Sequence, residues 1–174
     1  DEIALDPKLA LTLGLRYDKY DLKPEVDSMS QQALTAINRQ AVEQSYNQTS
    51  PKLGALWKFD ETYSAYGQVA TGFRAPNYNE VNGAFRNAAQ LYAITPNPDL
   101  KPETSVGVEL GMRAASSTAR GQISIYDNRY TDFIENLVLR CPGDPRCVRI
   151  GGVNYVTYMS QNLSNVRIYG AEVR

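Results

Sequence analysis

The sequence contains no histidine among its 174 residues. Without an imidazole, the Ser-His-Asp and Cys-His catalytic arrangements and histidine-ligated zinc are excluded. An excess of charge of either sign is also absent, since 18 basic residues stand against 19 acidic ones and the net charge is −1. No positive surplus is therefore present to neutralise phosphates, and nucleic acid is not expected as a partner.

Long apolar runs are missing too. No run approaches the roughly 18 residues that a membrane-spanning helix needs, and the first residues do not resemble a signal peptide. The sequence also lacks a nucleophile elbow, a phosphate-binding loop and a cluster of metal ligands, so we expect no enzyme, no catalytic residue and no catalytic cofactor. Glu109 and Glu172 lie on separate predicted strands, and we interpret them as charges inside a hydrated channel.

Cysteine is scarce, with two residues in the whole chain. They are six positions apart in Cys141-Pro-Gly-Asp-Pro-Arg-Cys147. This spacing is wider than a Cys-x-x-Cys metal or redox motif, and turn-forming residues fill it, so we predict a disulfide that closes a small exposed loop. A disulfide implies an oxidising compartment. Two unpaired thiols are the alternative at this point.

Strict alternation between apolar and small or polar residues dominates the sequence. From Leu9 to Tyr17, the odd positions are large and apolar or aromatic, whereas the even positions are small or polar. This period of two predicts β-strands with one apolar face. The predicted strands are 9–17, 53–59, 63–73, 106–113, a fifth that starts near 119 and loses its register around Asp127 at a bulge, and 166–174.

The connections between these strands are alternately short and long. Short turns cover 60–62 and 114–118, and long connections cover 21–50, 74–103 and 138–160. An up-and-down sheet would therefore carry all its tight turns at one end and all its large loops at the other. Soluble domains seldom contain unstructured connections beyond about 12–15 residues. Outer-membrane barrels regularly combine short periplasmic turns with long extracellular loops.

The chemistry of the two faces favours a membrane barrel over a soluble β-sandwich, which alternation alone does not exclude. The strands match the roughly 9–11 residues that cross a bilayer. Tyrosine is abundant, with 12 residues against 4 phenylalanines, and aromatic residues cluster at strand ends, as in interfacial girdles. These are Tyr17, Tyr20, Trp57, Phe59, Tyr63 and Phe73. Because a membrane barrel needs about eight strands or more, we expect a segment of a longer protein.

Two boxes of residues carry a family resemblance. The third strand runs into Gly-Phe-Arg-Ala-Pro, and Asn-Pro-Asp-Leu-Lys-Pro-Glu follows about twenty residues later. The sequence resembles the TonB-dependent outer-membrane receptors, which carry both boxes. The matching residues are Phe73, Arg74, Ala75 and Pro76 in the first box and Asn97, Pro98, Asp99 and Leu100 in the second. Strands around Tyr126–Ile134 and Ile168–Val173 are also similar to those of the family.

This resemblance implies an all-β fold: about six strands of an antiparallel transmembrane barrel of about 22 strands, with a separate N-terminal plug domain. Residues 1–174 would belong to the C-terminal barrel domain, and the plug and the last barrel strands would lie outside them. The implied location is the bacterial outer membrane. The implied partners are membrane lipid and the TonB complex, which the plug contacts. Within the loop between the boxes, we expect Arg74 to pair with Glu80.

Among these receptors, the two boxes resemble most closely those of haem and haemoprotein receptors, which typically carry a histidine ligand between them. Here the loop offers tyrosine instead, and tyrosinate can bind ferric iron axially. The candidate haem-binding residues are Tyr92, Tyr78 and Arg86: Tyr92 as the axial ligand, Tyr78 as its substitute and Arg86 as the partner of a propionate. Leu91 and Ile94 would flank the macrocycle, and the second ligand would come from the plug.

Two other functions stay open at this stage. Within the same superfamily, the transported ligand can be a ferric siderophore, since the same barrel would carry different loops. In a different class, a soluble lipocalin-like carrier has a length that matches this chain. Purification without detergent would identify the carrier, and a visible absorption spectrum with hemin would identify the haem receptor.

Overall fold

The computed structural model describes residues 2–174. Strands make up most of the chain, in agreement with the all-β prediction. They are β1 (Glu2–Asp6), β2 (Leu9–Leu22), β3 (Gln44–Lys58), β4 (Tyr63–Arg74), β5 (Phe85–Asn87), β6 (Tyr92–Ile94), β7 (Glu103–Ala115), β8 (Arg120–Val138), β9 (Arg149–Ile150), β10 (Val153–Asn154) and β11 (Val156–Val173). The helices are α1 (Ser28–Ala36) and α2 (Tyr78–Asn82).

Nine of these strands form one sheet in the order β1-β2-β3-β4-β7-β8-β11-β6-β5. The six long strands are the predicted ones, and each pairs antiparallel with its neighbour along the chain. The remaining pairs are the short strand β1 on β2, the small hairpin β5–β6, and β6 running parallel to β11. Within residues 2–174 the sheet does not close on itself, as expected for a segment of a barrel.

The two faces of the sheet differ as the alternation predicted. One face, which we call the outer face, carries apolar side chains that are exposed, including Leu13, Leu53, Val69, Val108, Leu110, Met112, Ile123 and Ile125. Directly paired residues lie on the same face of an antiparallel sheet, and the row Leu13–Leu53–Val69–Val108 continues across four strands. An apolar face of this extent fits lipid rather than water.

The opposite, inner face is polar and small. Tyr66 lies across Gly111, where an added Cβ would be 2.5 Å from the tyrosine ring. In the same way, Tyr126 lies across Gly170, where a Cβ would meet the Tyr126 hydroxyl at 2.8 Å. A side chain at either position would therefore displace the tyrosine ring of the neighbouring strand.

The prediction of a bulge near Asp127 is wrong. β8 keeps one continuous register with β7 from Thr131 to Arg120, and the same holds against β11 on its other side. The apolar alternation changes there because Asp127 and Arg129 occupy the outer face where the paired strand β7 carries Val108 and Val106. The chemistry of the face changes at this point, and the backbone pairing does not.

The three long connections contain ordered structure. Asp27 caps α1, since its Oδ1 accepts a hydrogen bond from the Ser30 amide at 2.7 Å. Asn77 and Glu80 form a capping box at the start of α2. Within residues 2–174, no helix is long and apolar enough to cross a membrane.

Two small hydrophobic clusters hold the loops against the strands. The first comprises Leu22, Val81, Leu100 and Ile134. The second comprises Ala93, Val148 and Tyr155. Because each cluster joins residues from separate loops and strands, burying them fixes the loops together above the long strands.

Candidate functional site

Arg74, the last residue of β4, joins the first box to the loop that follows it. Its Nη1 lies 3.1 Å from Glu80 Oε1, and its Nη2 lies 3.4 Å from Glu103 Oε2. The predicted pairing of Arg74 with Glu80 is therefore present. Glu103 also accepts a hydrogen bond from the Ile134 amide at 3.2 Å, and its side chain is 12% exposed. One guanidinium thus connects β4, α2 and the start of β7.

Pro76 lies two residues after Arg74 and is fully buried. It has no amide hydrogen to donate, so the chain can leave the sheet there without an unsatisfied donor. Asn77 then begins the capping box of α2. The first box therefore marks the point where β4 ends and the loop that contains α2 begins.

The second box is anchored by its asparagine. Asn97 is buried, and its Nδ2 donates to the Ser160 carbonyl at 2.8 Å while its amide donates to the Glu80 carbonyl at 3.3 Å. Its Oδ1 accepts from the Asp99 amide at 3.1 Å. These bonds tie the segment between the boxes to both α2 and β11.

Tyr78 and Tyr92 lie in different surroundings, although both belong to the loop between the boxes. Tyr78 opens α2 and packs against the cluster of Leu22, Val81, Leu100 and Ile134. Its hydroxyl is 3.5 Å from the Glu25 carbonyl. The side chain of Tyr78 therefore serves to hold α2 in place.

Tyr92 lies in β6 and forms an aromatic cluster with Phe85 and Tyr158. Its ring centroid is 5.6 Å from that of Phe85 and 6.4 Å from that of Tyr158. The Tyr92 side chain is half-buried. Within residues 2–174 its hydroxyl has no hydrogen-bond partner, so its oxygen is available to a ligand.

Arg86 is not brought to the same face as Tyr92. In the β5–β6 hairpin Asn87 pairs with Tyr92 and Arg86 pairs with Ala93. Side chains of consecutive residues in a strand point to opposite faces, so the Arg86 guanidinium projects away from the aromatic cluster. It is exposed beside Met29 and Ala33 of α1.

The disulfide between Cys141 and Cys147 is present. Within the loop that the disulfide closes, Arg146 donates hydrogen bonds to the Asp144 carboxylate from Nε at 2.9 Å and from Nη2 at 2.6 Å. The Arg146 guanidinium and amide together lower the pKa of Asp144 from 3.8 to about 2. A further bond from Arg146 Nη1 to Gln161 Oε1, 3.3 Å long, holds this loop against β11.

The inner face carries a second polar group, centred on Glu109. The Tyr66 hydroxyl donates to its Oε1 at 2.6 Å and Gln68 Nε2 donates to its Oε2 at 2.8 Å. The Arg113 guanidinium lies 4.4 Å from the centroid of the Tyr66 ring. Both Glu109 and Glu172 line this inner wall, in agreement with their interpretation as channel charges. No group of three or more His, Cys, Asp or Glu that could hold a metal ion occurs in the described part of the chain.

The sequence analysis did not predict the roles of two residues of β11. Asn162 forms two hydrogen bonds with the backbone of Lys101, in the second box. Its Nδ2 donates to the Lys101 carbonyl at 2.9 Å, and its Oδ1 accepts from the Lys101 amide at 2.9 Å. Tyr158 completes the aromatic cluster. Both act across more than sixty residues of chain, and no local pattern indicates such a contact.

Comparison with known proteins identifies the fold. A family model described as "TonB dependent receptor-like, beta-barrel" matches residues 1–174. The chain belongs to this family. TonB-dependent receptors are proteins of the outer membrane of Gram-negative bacteria, and they are transporters rather than enzymes. The soluble lipocalin-like alternative is therefore wrong.

Relatives of this TonB-dependent receptor segment occur in Vibrio cholerae and Neisseria meningitidis. The iron-regulated outer membrane virulence protein of Vibrio cholerae is 33% identical over 128 residues, which are 71% of this chain and 19% of that protein. The hemoglobin-haptoglobin utilization protein B of Neisseria meningitidis is 26% identical over 174 residues, 95% of this chain and 21% of that protein. The chain thus spans about a fifth of the length of these relatives.

Solved structures agree on the fold. The hemophore receptor HasR of Serratia marcescens, in complex with its hemophore and heme, superposes with a TM-score of 0.70 at 19% identity, over 97% of this chain and 29% of that chain. The siderophore receptor PirA of Pseudomonas aeruginosa gives 0.68 at 20% identity, over 99% and 29%. Since both the haem-related and the siderophore receptor share the TonB-dependent receptor barrel equally well, the fold alone does not select the ligand.

Proposed function

We infer that the complete receptor binds haem, free or within a haemoprotein, at its extracellular loops and imports it with energy from the TonB complex. The relatives named for hemoglobin-haptoglobin utilization and the hemophore receptor support this inference. A plug domain outside residues 1–174 would contact TonB, and residues 1–174 would form part of the C-terminal barrel domain.

The observation that carries the proposal is the state of Tyr92. Its hydroxyl makes no hydrogen bond within residues 2–174, and its ring lies beside Phe85 and Tyr158. A phenolate oxygen is a competent axial ligand of ferric haem iron. Aromatic rings next to such a ligand also provide apolar surface against which a macrocycle can stack.

The other two candidate residues take different places in this proposal. Tyr78 is the less suitable ligand, because its ring packs into the cluster that seats α2. Arg86 is exposed on the far side of the hairpin from Tyr92. It would reach a propionate only of a haem that extends past the edge of the hairpin. The second axial ligand would come from outside this segment.

A ferric siderophore is the second candidate ligand, since the siderophore receptor PirA superposes almost as closely as the hemophore receptor. The lack of histidine, the usual ligand in the haem-receptor loop, also favours this candidate. A siderophore would not require the Tyr92 oxygen as an iron ligand, because siderophores supply the iron ligands themselves.

The test is a hemin titration of the full-length receptor, followed by visible absorption. Wild-type protein should give a ferric spectrum of tyrosinate-ligated haem, and Tyr92→Phe should shift that spectrum and weaken binding by about tenfold or more. Tyr158→Phe is the matched control, since it removes a hydroxyl from the same cluster. An unchanged spectrum and affinity in Tyr92→Phe would reject Tyr92 as the ligand. Failure of wild-type receptor to bind hemin, together with saturable binding of a ferric siderophore, would move the assignment to the siderophore.

A further inference from the structure

The outer face of β8 and β11 changes its chemistry in steps along the paired strands. Moving from the tight-turn end to the loop end, the paired residues on this face are Ile123 with Val173, Ile125 with Ala171, Asp127 with Tyr169, Arg129 with Arg167, and Thr131 with Asn165. The order is therefore aliphatic, then aromatic and charged, then doubly basic, then polar. Hydrocarbon, interface and headgroup layers of a bilayer require this order of side chains.

The two arginines converge on one carboxylate. Arg167 donates to Asp127 from Nε and Nη2, each at 2.9 Å, and Arg129 donates to the same carboxylate from Nη2 at 3.3 Å. The Arg167 guanidinium also lies 4.9 Å from the centroid of the Tyr169 ring. These contacts hold two guanidinium groups side by side on the surface that faces the membrane.

The cluster of Asp127, Arg129 and Arg167 retains a net positive charge and unused N–H donors. Two arginines and one aspartate leave one positive charge uncompensated. A guanidinium has five N–H donors, and within residues 2–174 Arg129 uses one of its nitrogens in a hydrogen bond. The side chains are open to the surroundings, with 70% of Arg129 and 56% of Arg167 exposed against 29% of Asp127. The carboxylate is thus covered by the arginines, and the arginines are presented outward.

We propose that Arg129 and Arg167 form a binding site for the phosphate of a lipid headgroup on the outer wall of the barrel. A planar guanidinium matches the oxygens of a phosphate through two parallel hydrogen bonds. Asp127 positions both guanidinium groups through its hydrogen bonds to them. Tyr169 lies between the two arginines and the aliphatic part of the outer face, where aromatic side chains are found at the membrane interface. The occupant is a phosphorylated lipid of the outer leaflet rather than free phosphate, because the site adjoins the apolar surface formed by Ile125 and Ala171.

The experiment uses the full-length receptor in detergent and native mass spectrometry of bound lipid. Diphosphorylated lipid A is the probe, and monophosphorylated lipid A with the same acyl chains is its comparison. Arg129→Gln/Arg167→Gln should bind the diphosphorylated form about 25-fold more weakly, since each basic residue near an anionic headgroup layer contributes about a factor of five. The preference for the second phosphate should shrink in parallel.

Lys19→Gln is the matched control. Lys19 is also an exposed outer-face cation paired with a carboxylate two residues away, Asp21, at 3.3 Å. It stands alone, and its removal should leave lipid A binding within about twofold, because isolated surface ion pairs contribute little.

Three results would overturn the proposal. The first is equal binding of lipid A by the glutamine pair and wild type. The second is arginine-dependent binding of inorganic phosphate in the absence of lipid. The third is an Arg129→Lys/Arg167→Lys receptor that binds diphosphorylated lipid A as tightly as wild type, because an ammonium group cannot make the two parallel hydrogen bonds that the proposal assigns to each guanidinium.

Discussion

The Arg74 guanidinium lies 3.1 Å from the Glu80 carboxylate, six residues further along the chain. The first of these residues ends a barrel strand and the second lies in the first turn of α2, where its carboxylate also accepts the Asn77 amide at 2.8 Å. The ion pair therefore connects the end of β4 to the first turn of α2.

Replacing Arg74 with alanine should loosen α2 and the loop between the boxes. The pair is partly exposed and bridges to Glu103, so a loss of about 1 kcal/mol is expected. Limited proteolysis of residues 77–102 in the full-length receptor measures the effect. Arg16→Ala, which removes an exposed pair with Asp18 at 2.7 Å, should leave the cleavage rate unchanged. Equal cleavage in both variants would contradict a structural role for Arg74.

Spin labels test which face of the sheet meets lipid. Labels at Leu11, Val69, Val108 and Leu110 should be accessible to oxygen dissolved in the bilayer, because these positions lie on the apolar outer face. Labels at Gln68 and Glu109 should instead be accessible to a water-soluble nickel reagent. Oxygen accessibility at Glu109 equal to or higher than that at Val108 would contradict the assignment of the faces.

Gly111 is expected to be intolerant of any side chain. A Cβ there would lie 2.5 Å from the Tyr66 ring, so Gly111→Ala should displace the ring and cost about 1–3 kcal/mol of unfolding free energy. Gly54→Ala is the control, since its Cβ would meet ordinary contacts at 3.6 Å. Urea unfolding of the receptor in detergent compares the two. A larger loss for Gly54→Ala than for Gly111→Ala would refute the packing argument.

The pKa of Asp144 should make the disulfide loop resistant to acid. The pKa of Asp144 in the folded protein is lowered from 3.8 to about 2. The ion pair with Arg146 therefore stabilises the loop fully above pH 3.8, and this stabilisation is lost as the pH falls through about 2. Carbon-13 chemical shifts of the Asp144 carboxylate follow this titration. In Arg146→Gln the midpoint should rise toward 3.8, and a midpoint unmoved by this substitution would show that Arg146 is not the cause.

Mass spectrometry without reductant should find Cys141 joined to Cys147 in the purified receptor. Closing so short a loop contributes about 2 kcal/mol in the chain-entropy description. In Cys141→Ser/Cys147→Ser, proteolysis within 141–147 should therefore accelerate. Alkylation of both cysteines in the untreated protein would disprove the bond.

The long strands could be predicted from the sequence because a period of two is visible wherever one face meets lipid. Their ends were harder to locate. β3 starts at Gln44, well before the predicted start at residue 53, and pairs there with Leu22 at the end of β2. Beyond the apolar band neither face needs a large aliphatic residue, so the alternation fades while the hydrogen-bonded ladder continues.

The short strand β1 also escaped prediction, although a signal for its turn exists. Asp6 precedes Pro7, and its Oδ1 accepts the amides of Lys8 and Leu9 at 2.6 and 3.0 Å. Aspartate before proline is a common start of a turn. Five residues of strand, however, are too few for a periodic pattern to stand out.

The contacts around the candidate site could be predicted only in part. Its loop, and the pairing of Arg74 with Glu80, could be read from residues close in sequence. The aromatic cluster depends on Tyr158, and the separation of Arg86 from Tyr92 depends on the register of a three-residue hairpin. Contacts between distant segments and the choice between two registers leave no local trace in a single sequence.

The parallel pairing of β6 with β11 limits how the wall can continue. Residues 156–158 already bond with Tyr92, Ala93 and Ile94, and the Thr95 amide donates to the Tyr158 carbonyl at 2.9 Å. The Ser160 carbonyl on the same edge is also occupied, by Asn97 Nδ2 at 2.8 Å. A strand that extends the sheet beyond β11 can therefore use the free edge only from Gln161 toward Val173. The β5–β6 hairpin therefore sets how far along β11 the next strand can pair. Lengthening or shortening this hairpin would move the loop-side end of that neighbouring strand.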